Sequence, residues 1–542
     1  MPDVVHGTER RPLVPGRLLL DEAAELSVVV PASCRQTGRC HECVVEVREG
    51  GDQLSPSTAE EAFLRPGFRL ACRARIERAE RNLEFAVLRR RLRIQLAPEL
   101  ASAVPDLDAR VRVTAAGRYA GDDGTDLGPA AGTPVGMALD VGTTTVVLEL
   151  VDLETGAILA VAAFENPQSF GGSDVMTRIA YDGEVPGELR QALRHAVNHE
   201  LRRLQGATGI ERRRIVDAVV VGNPTMRDLA FGLDVAPLGR LPFRSATETA
   251  VRDGAAASST IERRAHELGL LINARARVTG GPIIASHVGA DAAADLVAVD
   301  AVARGGSFLL VDIGTNTEVI ASDGERIVAA SSPAGPAFEG GGVRYGMPGA
   351  AGAIEGASLD GATGRFTLRT IGGGEPEGIC GSGLVDLLSE LRGANRLTAR
   401  GGFADRAHEV AIVDEPRITL SRSDVGHLSI AKAATAVGQQ VLLRRLGLAP
   451  SDLEHVYLAG GFANALDVGA AVAIGLLVPV DAGRVVRAGN AAIAGARALL
   501  LSRRRLAGLD ALTRRIEHVE LESEPDFFDL FTDGCLFEPM VA

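Results

Sequence analysis

The sequence has 542 residues, of which 46% are hydrophobic, so the chain can bury several cores and is expected to form roughly three or four domains. Its formal net charge of −13 argues against binding to nucleic acid or to an anionic membrane surface. The N-terminus lacks the apolar segment of a signal peptide, and no apolar run approaches the roughly 18 residues of a membrane span, so we expect a cytoplasmic protein.

The cysteines indicate a metal centre near the start of the chain. After a predicted short helix and strand-like run at residues 18–30, three cysteines share one glycine-containing loop and a fourth follows, in the spacing C-x5-C-x2-C-x28-C. They are Cys34, Cys40, Cys43 and Cys72. Disulfides in a cytoplasmic protein would not explain this clustering.

A 2Fe–2S cluster is the interpretation that this spacing favours, because four thiolates can hold two irons while loop N–H groups donate to the sulfides. Structural zinc is an alternative, although zinc sites usually present two closely spaced pairs. Four unrelated core thiols are a third. The loop resembles that of plant-type ferredoxins, with five residues instead of four between the first two cysteines.

The domain that would carry this cluster is predicted to cover residues 1–95, with its last strand within 80–95. Residues 96–135 are rich in Ala, Pro, Asp and Gly, and we predict a linker or a small spacer domain there.

Two similar polar turns follow, each between apolar runs that predict a β-hairpin. The first hairpin covers 136–150 and contains Asp140; the second covers 308–320 and contains Asp312, 172 residues later. The turn residues that could bind phosphate are Gly142, Thr143, Thr144, Thr145, Gly314, Thr315, Asn316 and Thr317. The two aspartates could hold a hydrated Mg²⁺. This repeat predicts two similar lobes, at 136–300 and 306–542, facing each other across a nucleotide.

Further candidates lie elsewhere in the lobes. Asn223 and Thr225 follow a predicted buried strand, where α/β folds bind ligands. The double glycine Gly460–Gly461 ends another strand and would let a base or ribose approach the backbone. We predict that residues 245–305 are largely helical, that Ser173 or Asp174 caps a helix, that a glycine-rich loop at 332–344 closes over a ligand, and that residues 378–383 form an anion-friendly helix start. His287, Cys380 and Cys535 are predicted not to be ligands.

The two hairpins and the Ala-Gly-Gly turn resemble the phosphate and adenosine elements of the actin-like ATPase superfamily. With the cysteine domain in front of them, the whole chain resembles the reductive activators of corrinoid-dependent methyltransferases. The matching runs lie at residues 221–226, 287–291, 310–316, 337–340, 378–383, 457–462 and 525–531. Two positions depart from that pattern, namely Thr317 in place of glycine and Arg227 where histidine is frequent.

The resemblance implies a multidomain α/β protein, with an N-terminal β-grasp 2Fe–2S ferredoxin domain, a short linker and a two-lobed actin-like ATPase fold. It implies that ATP drives one electron from the cluster to a corrinoid protein, converting inactive Co(II) to Co(I). In that role Asp140 and Asp312 would bind Mg²⁺ through water, the two turns would bind phosphate, and Gly460 and Gly461 would seat adenosine. The implied partners are a corrinoid protein, an upstream low-potential electron donor and possibly a second copy of the chain.

Three other functions compete with this one. A phosphotransferase of the sugar-kinase type would need a carboxylate base beside a substrate pocket, and no convincing candidate is present. A nucleotide-switched docking module would have no use for four cysteines. The radical-dehydratase activators share a cluster between two subunits and lack a ferredoxin domain.

Overall fold

The computed structural model describes residues 2–7, 9–32, 34–88, 107–361 and 363–540. These residues form an N-terminal domain, a three-stranded sheet and two lobes, each built on a six-stranded sheet. Across the described ranges, no helix combines the length and the apolar character needed to cross a membrane.

The N-terminal domain has a mixed five-stranded sheet in the order β2-β1-β5-β3-β4, with β1 and β5 parallel. Its elements are β1 (Asp3–His6), β2 (Glu9–Pro12), α1 (Leu19–Glu25), β3 (Val44–Glu49), β4 (Phe68–Leu70) and β5 (Leu83–Val87). Leu19 and Ala23 of α1 are fully buried, as expected for the single helix of a β-grasp domain. The predicted strand after α1 is wrong: residues 28–30 are irregular, because Val29 faces solvent with 72% of its surface exposed and pairs with no strand. Residues 89–95 lie outside the described part of the chain.

Residues 107–135 are a folded spacer, which was one of the two predictions for this segment; residues 96–106 are outside the described ranges. An antiparallel sheet contains β6 (Val111–Val113), β7 (Arg118–Gly121) and β8 (Asp126–Pro129). Arg110 fixes the spacer to the first lobe through two hydrogen bonds of 2.7 and 2.9 Å to the buried Asp217.

The first lobe has the strand order β11-β10-β9-β12-β14-β13. Its elements are β9 (Val135–Val141), β10 (Thr145–Asp152), β11 (Ile158–Glu165), α2 (Val175–Glu184), α3 (Glu188–Thr208), β12 (Ile215–Val221), α4 (Pro224–Phe231), α5 (Ala246–Arg252), β13 (Ile261–Arg264), α6 (Ala265–Leu268), β14 (Arg277–Gly280), α7 (Ala290–Val299) and α8 (Ala301–Arg304). Asp174 caps α2, as predicted, with its side chain accepting from the Thr177 N–H at 2.9 Å. The prediction that 245–305 is largely helical is wrong, because β14 extends the sheet beside β12 and pairs with β13.

The second lobe has the strand order β24-β23-β15-β16-β17-β25. Its elements are β15 (Phe308–Asp312), β16 (Thr317–Ser322), β17 (Ile327–Ser332), β18 (Ala353–Leu359), β19 (Phe366–Thr370), β20 (Gly378–Ile379), α9 (Gly381–Gly393), β21 (Glu409–Val413), β22 (Ile418–Ser421), α10 (Arg422–Leu446), β23 (His455–Ala459), α11 (Val468–Ala473), β24 (Val485–Gly489), α12 (Ala491–Leu501), α13 (Arg503–Thr513), β25 (Ile516–His518) and α14 (Phe527–Gly534).

The two six-stranded sheets share one plan, which confirms the predicted pair of hairpins. In each sheet an antiparallel hairpin, β9–β10 or β15–β16, lies beside a parallel strand, β12 or β23. Both hairpin tips and the ends of both parallel strands therefore lie at the carboxyl edge of their sheets, where ligands bind in open α/β folds.

Helices α7 and α12 join the lobes where they cross. Ile493 and Leu500 of α12 belong to the core on the first sheet, whereas Leu296 of α7 packs in the core of the second. The backbones touch at Gly495, where an added Cβ would lie 2.0 Å from the carbonyl oxygen of Ala294. Residues 491–501, which the sequence places in the second lobe, thus contribute to the core of the first.

Candidate nucleotide and cluster sites

A cleft between the two lobes collects most of the residues proposed from the sequence. Those that line it are Asp140, Gly142, Thr143, Thr144, Thr145, Asp312, Gly314, Thr315, Asn316, Gly460 and Gly461. Thr317 does not, because it begins β16 as a fully buried residue and its hydroxyl lies 3.2 Å from that of Thr435. Asn223 lines the cleft, whereas Thr225 is buried away from it.

The first hairpin tip is a tight turn that requires glycine. The Gly142 N–H donates to the Thr145 carbonyl at 3.0 Å, and a Cβ on Gly142 would lie 2.6 Å from that same oxygen. Asn223, the N-cap of α4, donates from Nδ2 to the Thr143 hydroxyl at 3.0 Å. The predicted strand-end residue therefore orients one of the predicted turn residues.

The two tips meet across the cleft. The hydroxyls of Thr144 and Thr315 lie 2.7 Å apart, and both donate to Oε2 of Glu339. Glu339 ends the short turn Ala337–Glu339, in the loop predicted to close over a ligand. This contact joins a residue of the first lobe to two residues of the second.

Another part of the cleft lining is built from glycine and aromatic rings. Gly460 has φ +111°, and a Cβ there would lie 2.3 Å from the Ile313 carbonyl, so only glycine fits between β23 and the second hairpin. The rings of Phe338 and Phe462 are 6.0 Å apart and both line the cleft. Gly381, at the predicted helix start, lines it as well.

Four acidic side chains are crowded together in the lining of the cleft. Burial and repulsion from Asp291 and Asp312 raise the pKa of Asp140 well above its usual range. Burial raises the pKa of Asp291 to about 7 and that of Asp312 to about 6. Burial likewise raises the pKa of Glu318, with repulsion from the same two aspartates. A cation in the cleft would relieve this repulsion.

No three Cys, His, Asp or Glu side chains among the described residues are placed to bind one metal ion directly.

The four thiols meet as two interacting pairs. Burial opposes ionisation of Cys34, but hydrogen bonds from Thr37 and from Cys40 lower its pKa to about 6. A hydrogen bond between Cys43 and Cys72 raises the pKa of the Cys43 thiol, which burial raises further, and lowers that of Cys72. Cys40, Cys43 and Cys72 are buried. Three thiols on one loop and a fourth, that of Cys72, just after β4 supply the four-thiolate donor set that a 2Fe–2S cluster requires.

The cysteine loop packs directly on the first lobe. The ring of His41, between two of the cysteines, stacks on Phe63 with centroids 4.0 Å apart, and its Nδ1 lies 2.8 Å from Oε2 of Glu188. The Tyr181 hydroxyl donates to the Phe63 carbonyl at 2.5 Å. Phe170 packs edge-on against both Phe63 and Tyr181. The contact thus combines packed aromatic rings with two polar contacts, of which the one from Tyr181 is buried.

The same interface reaches the first hairpin tip through one short turn. Phe170 lies in the 3-10 turn Pro167–Gly171, which Asn166 caps. The Asn166 N–H donates to the Thr144 carbonyl at 2.7 Å, and its Nδ2 donates to the Gly142 carbonyl at 2.8 Å. The cysteine loop and the phosphate turn are therefore connected by a continuous set of packed groups.

Sequence reasoning did not assign a role to several residues of the cleft, namely Asp291, Glu318, Glu339, Asn490, Phe338 and Phe462. Asp291 and Asn490 stand at the starts of helices α7 and α12. Each follows a glycine, in the patterns Gly-x-Asp and Gly-Asn, and such a pattern could have marked both as polar residues at a helix start. Glu318 gave none, because it lies inside an apolar strand. The residues predicted not to be ligands lie elsewhere: Cys380 is the buried N-cap of α9, and His287 packs against Phe243.

Three family models match successive parts of the chain. A 2Fe–2S iron–sulfur cluster binding domain matches residues 4–77, the RACo middle region matches residues 135–302, and the C-terminal ASKHA domain of RACo matches residues 307–540. The fold therefore has the predicted classes in the predicted order: a 2Fe–2S binding domain, a middle region and a nucleotide-binding actin-like domain.

Curated relatives and a solved structure agree with these matches. The corrinoid activation enzyme RamQ of Eubacterium limosum is 32% identical over 74% of this chain and 70% of its own length. The [Co(II) methylated amine-specific corrinoid protein] reductase of Methanosarcina barkeri is 25% identical over 73% of this chain and 76% of its own. A solved structure of a reductive activator for corrinoid, iron–sulfur protein superposes with a TM-score of 0.73 at 26% identity, covering 99% of both chains. The chain belongs to the RACo family of reductive activators of corrinoid proteins.

Proposed function

We propose that this protein uses the binding and hydrolysis of ATP to drive one electron from a 2Fe–2S cluster to the cobalt of a corrinoid protein, converting inactive Co(II) to Co(I). One observation carries the proposal: the domain with the four interacting thiols is packed, through Phe63 and Phe170, onto the lobe whose hairpin tip lines the nucleotide cleft. An electron carrier and an ATPase are thereby mechanically connected in one chain.

The cluster would be held by Cys34, Cys40, Cys43 and Cys72, the four thiols that interact with one another. Bound there, it supplies a one-electron carrier at roughly −400 mV if it behaves as a plant-type centre. Such a potential makes it a marginal donor to Co(II), so an external source of free energy is required. After each transfer, an upstream low-potential donor would reduce the cluster again.

The nucleotide would lie in the cleft with its phosphates at the hairpin tips. Thr143 and Thr144 on one side and Thr315 on the other offer hydroxyls, and the turn glycines let backbone N–H groups approach the phosphates. Asp140 and Asp312 would hold Mg²⁺ through water, which accounts for two carboxylates kept in a crowded acidic site. Gly460 and Gly461 would seat the adenosine beside Phe338 and Phe462.

Coupling would follow from the turn that Asn166 caps. A phosphate that changes the position of Thr144 acts on Asn166, and Phe170 in the same turn contacts Phe63 of the cluster domain. ATP can then favour one arrangement of cluster domain and corrinoid partner by its differential affinity for that arrangement.

The test combines the two halves of the proposal. Anaerobically purified protein should contain about two irons per chain and give a spin-half EPR signal after dithionite reduction. With a corrinoid protein in the Co(II) state and a strong chemical reductant, the absorption of Co(I) should then appear only when MgATP is added. Light scattering of the same sample tests whether the protein is a homodimer.

Two variants separate the electron path from the nucleotide path. Cys43→Ser should lose the EPR signal and Co(I) formation but retain ATP binding, whereas Asp312→Asn should keep the EPR signal and form no Co(I) even when MgATP is added. Cys535→Ser is the matched control, because this cysteine lies in the C-terminal segment after α14, outside the thiol set. Bound zinc in place of iron, or equal Co(I) formation without ATP, would contradict the proposal.

A further inference from the structure

Glu339 places a carboxylate where the two hairpin tips meet. Its Oε2 accepts a hydrogen bond from the Thr144 hydroxyl at 3.1 Å and another from the Thr315 hydroxyl. Both donors belong to the turns that would bind phosphate, so an acidic side chain of the protein itself already uses them.

A phosphate group cannot share this arrangement. Carboxylate and phosphate oxygens accept the same charge-assisted hydrogen bonds, so they compete for one set of donors. The 2.7 Å between the hydroxyls of Thr144 and Thr315 also leaves no space for a phosphate between them. Binding there therefore requires that Glu339 leave the donors and that the two tips move apart.

We propose that Glu339 is a built-in competitor of the terminal phosphate, which bridges the two lobes in the nucleotide-free protein and is displaced when ATP binds. The inference rests on the nucleotide-binding part of the proposed function and adds a role that the function alone does not require. It assigns Glu339 as a positioning residue, because the carboxylate sets the distance between the tips.

The local backbone suits such a displacement. The turn Ala337–Glu339 lies between Gly335, with φ +78°, and Gly340, with φ +94°. Glycine at both ends permits a change of backbone angles that other residues resist. Phe338, next to Glu339, packs against Phe462, which also lines the cleft.

Calorimetric titration of the full-length protein with Mg²⁺ and AMP-PNP, and separately with AMP, tests the competition. Glu339→Ala should bind AMP-PNP roughly tenfold more tightly than the wild type, because a charge-assisted contact no longer has to be broken. Glu339→Gln, which keeps an acceptor oxygen but loses the charge, should show a smaller gain and serves if the alanine variant does not fold. AMP affinity should not change, because AMP has no phosphate that reaches the tips.

Glu318→Gln is the matched control for simple charge. Glu318 also lines the cleft, but its Oε1 accepts from the Ser331 hydroxyl at 3.1 Å and makes none of the contacts that Glu339 makes with the tips. An equal gain in AMP-PNP affinity for Glu318→Gln would mean that general negative charge, and not the bridge, opposes the nucleotide. An unchanged or weakened AMP-PNP affinity in both Glu339 variants would also overturn the inference and assign Glu339 to nucleotide binding or hydrolysis.

Hydrogen–deuterium exchange gives a readout that needs no ligand. In nucleotide-free protein, Glu339→Ala should raise exchange at residues 141–146 and 313–317, with the EPR signal of the cluster unchanged. Unaltered exchange at residues 141–146 and 313–317 would by itself refute the proposal that Glu339 holds the two tips together. A wild-type protein that binds neither nucleotide, with faster exchange in the variant, would instead refute the proposed function and leave the bridge supported.

Discussion

The crossing of α7 and α12 can be tested by substituting one glycine. In Gly495→Ala the new Cβ would lie 2.0 Å from the carbonyl oxygen, 2.5 Å from the carbonyl carbon and 2.8 Å from the Cα of Ala294. All three are backbone atoms, so no side-chain rotation relieves the clash. Because ordinary contact begins at 3.4 Å, the helices would have to separate by about 1 Å or more at their crossing.

The expected magnitude follows from two opposing effects. Overpacking of this kind typically costs about 1–3 kcal/mol, and a clash with backbone belongs at the upper end. Alanine gains about 1 kcal/mol over glycine in a helix interior. We therefore expect Gly495→Ala to lower the free energy of unfolding of the two lobes by roughly 2 kcal/mol.

Gly508 offers a matched control in the neighbouring helix α13. No atom lies within 4 Å of a Cβ built there, and the residue is in the helix interior. Gly508→Ala should therefore raise the unfolding free energy by about 1 kcal/mol. Urea denaturation followed by circular dichroism would measure both variants, provided that the slopes of the transitions agree.

Equal stability of Gly495→Ala and wild type would refute the close crossing. An equal increase in the free energy of unfolding for both alanine variants would refute it even more clearly, since helix propensity alone would then explain both values. A loss confined to Gly495→Ala, together with weaker AMP-PNP binding, would show that the crossing also sets the position of the lobes around the cleft.

Three further substitutions test other parts of the structure. Arg497→Met should cost about 3–5 kcal/mol by leaving the buried Glu149 without its 2.7 Å partner, and the double variant with Glu149→Leu should recover most of it in thermal unfolding. Phe63→Ala should reduce ATP-dependent Co(I) formation without changing the cluster EPR signal, because it removes the ring at the contact with the first lobe, whereas Phe528→Ala, at a ring that is 80% exposed, should change neither. Burial lowers the pKa of Lys432 to about 8 from 10.5, so the folded state binds fewer protons than the unfolded state between these values, and stability should rise as pH increases from about 8 to 10.5. Lys432→Met should abolish that rise in a pH series of unfolding midpoints, and a rise of the same size in the variant would contradict the assignment.

Local sequence was sufficient to predict the site wherever a backbone turn had to be made from particular residues. Gly142 and Gly460 leave 2.6 Å and 2.3 Å between a possible Cβ and a backbone oxygen, so the turns that need them are visible as glycine patterns. The cysteine spacing similarly indicated a cluster, because three ligands come from one loop and short-range geometry fixes them. The hairpins that carry Asp140 and Asp312 were predictable for the same reason.

Contacts between distant segments were not predictable in this way. The spacing of Thr144 and Thr315, the carboxylate of Glu339 between them, and the packing of Phe63 on Phe170 join residues that are 24 to 195 positions apart. Asp295 lies in the apolar-looking helix α7, and its interaction with Asp312 exists only because folding brings α7 next to the second hairpin.

The sequence by itself determined the domain order, the set of candidate cluster cysteines and the two polar hairpin turns, because each depends mainly on residues that are close along the chain. Only the tertiary structure decided that α12 completes the first lobe, that Thr317 faces the core and not the cleft, and that a glutamate bridges the two tips. These features depend on how two similar sheets pack across crossing helices, and local propensity carries no information about that packing.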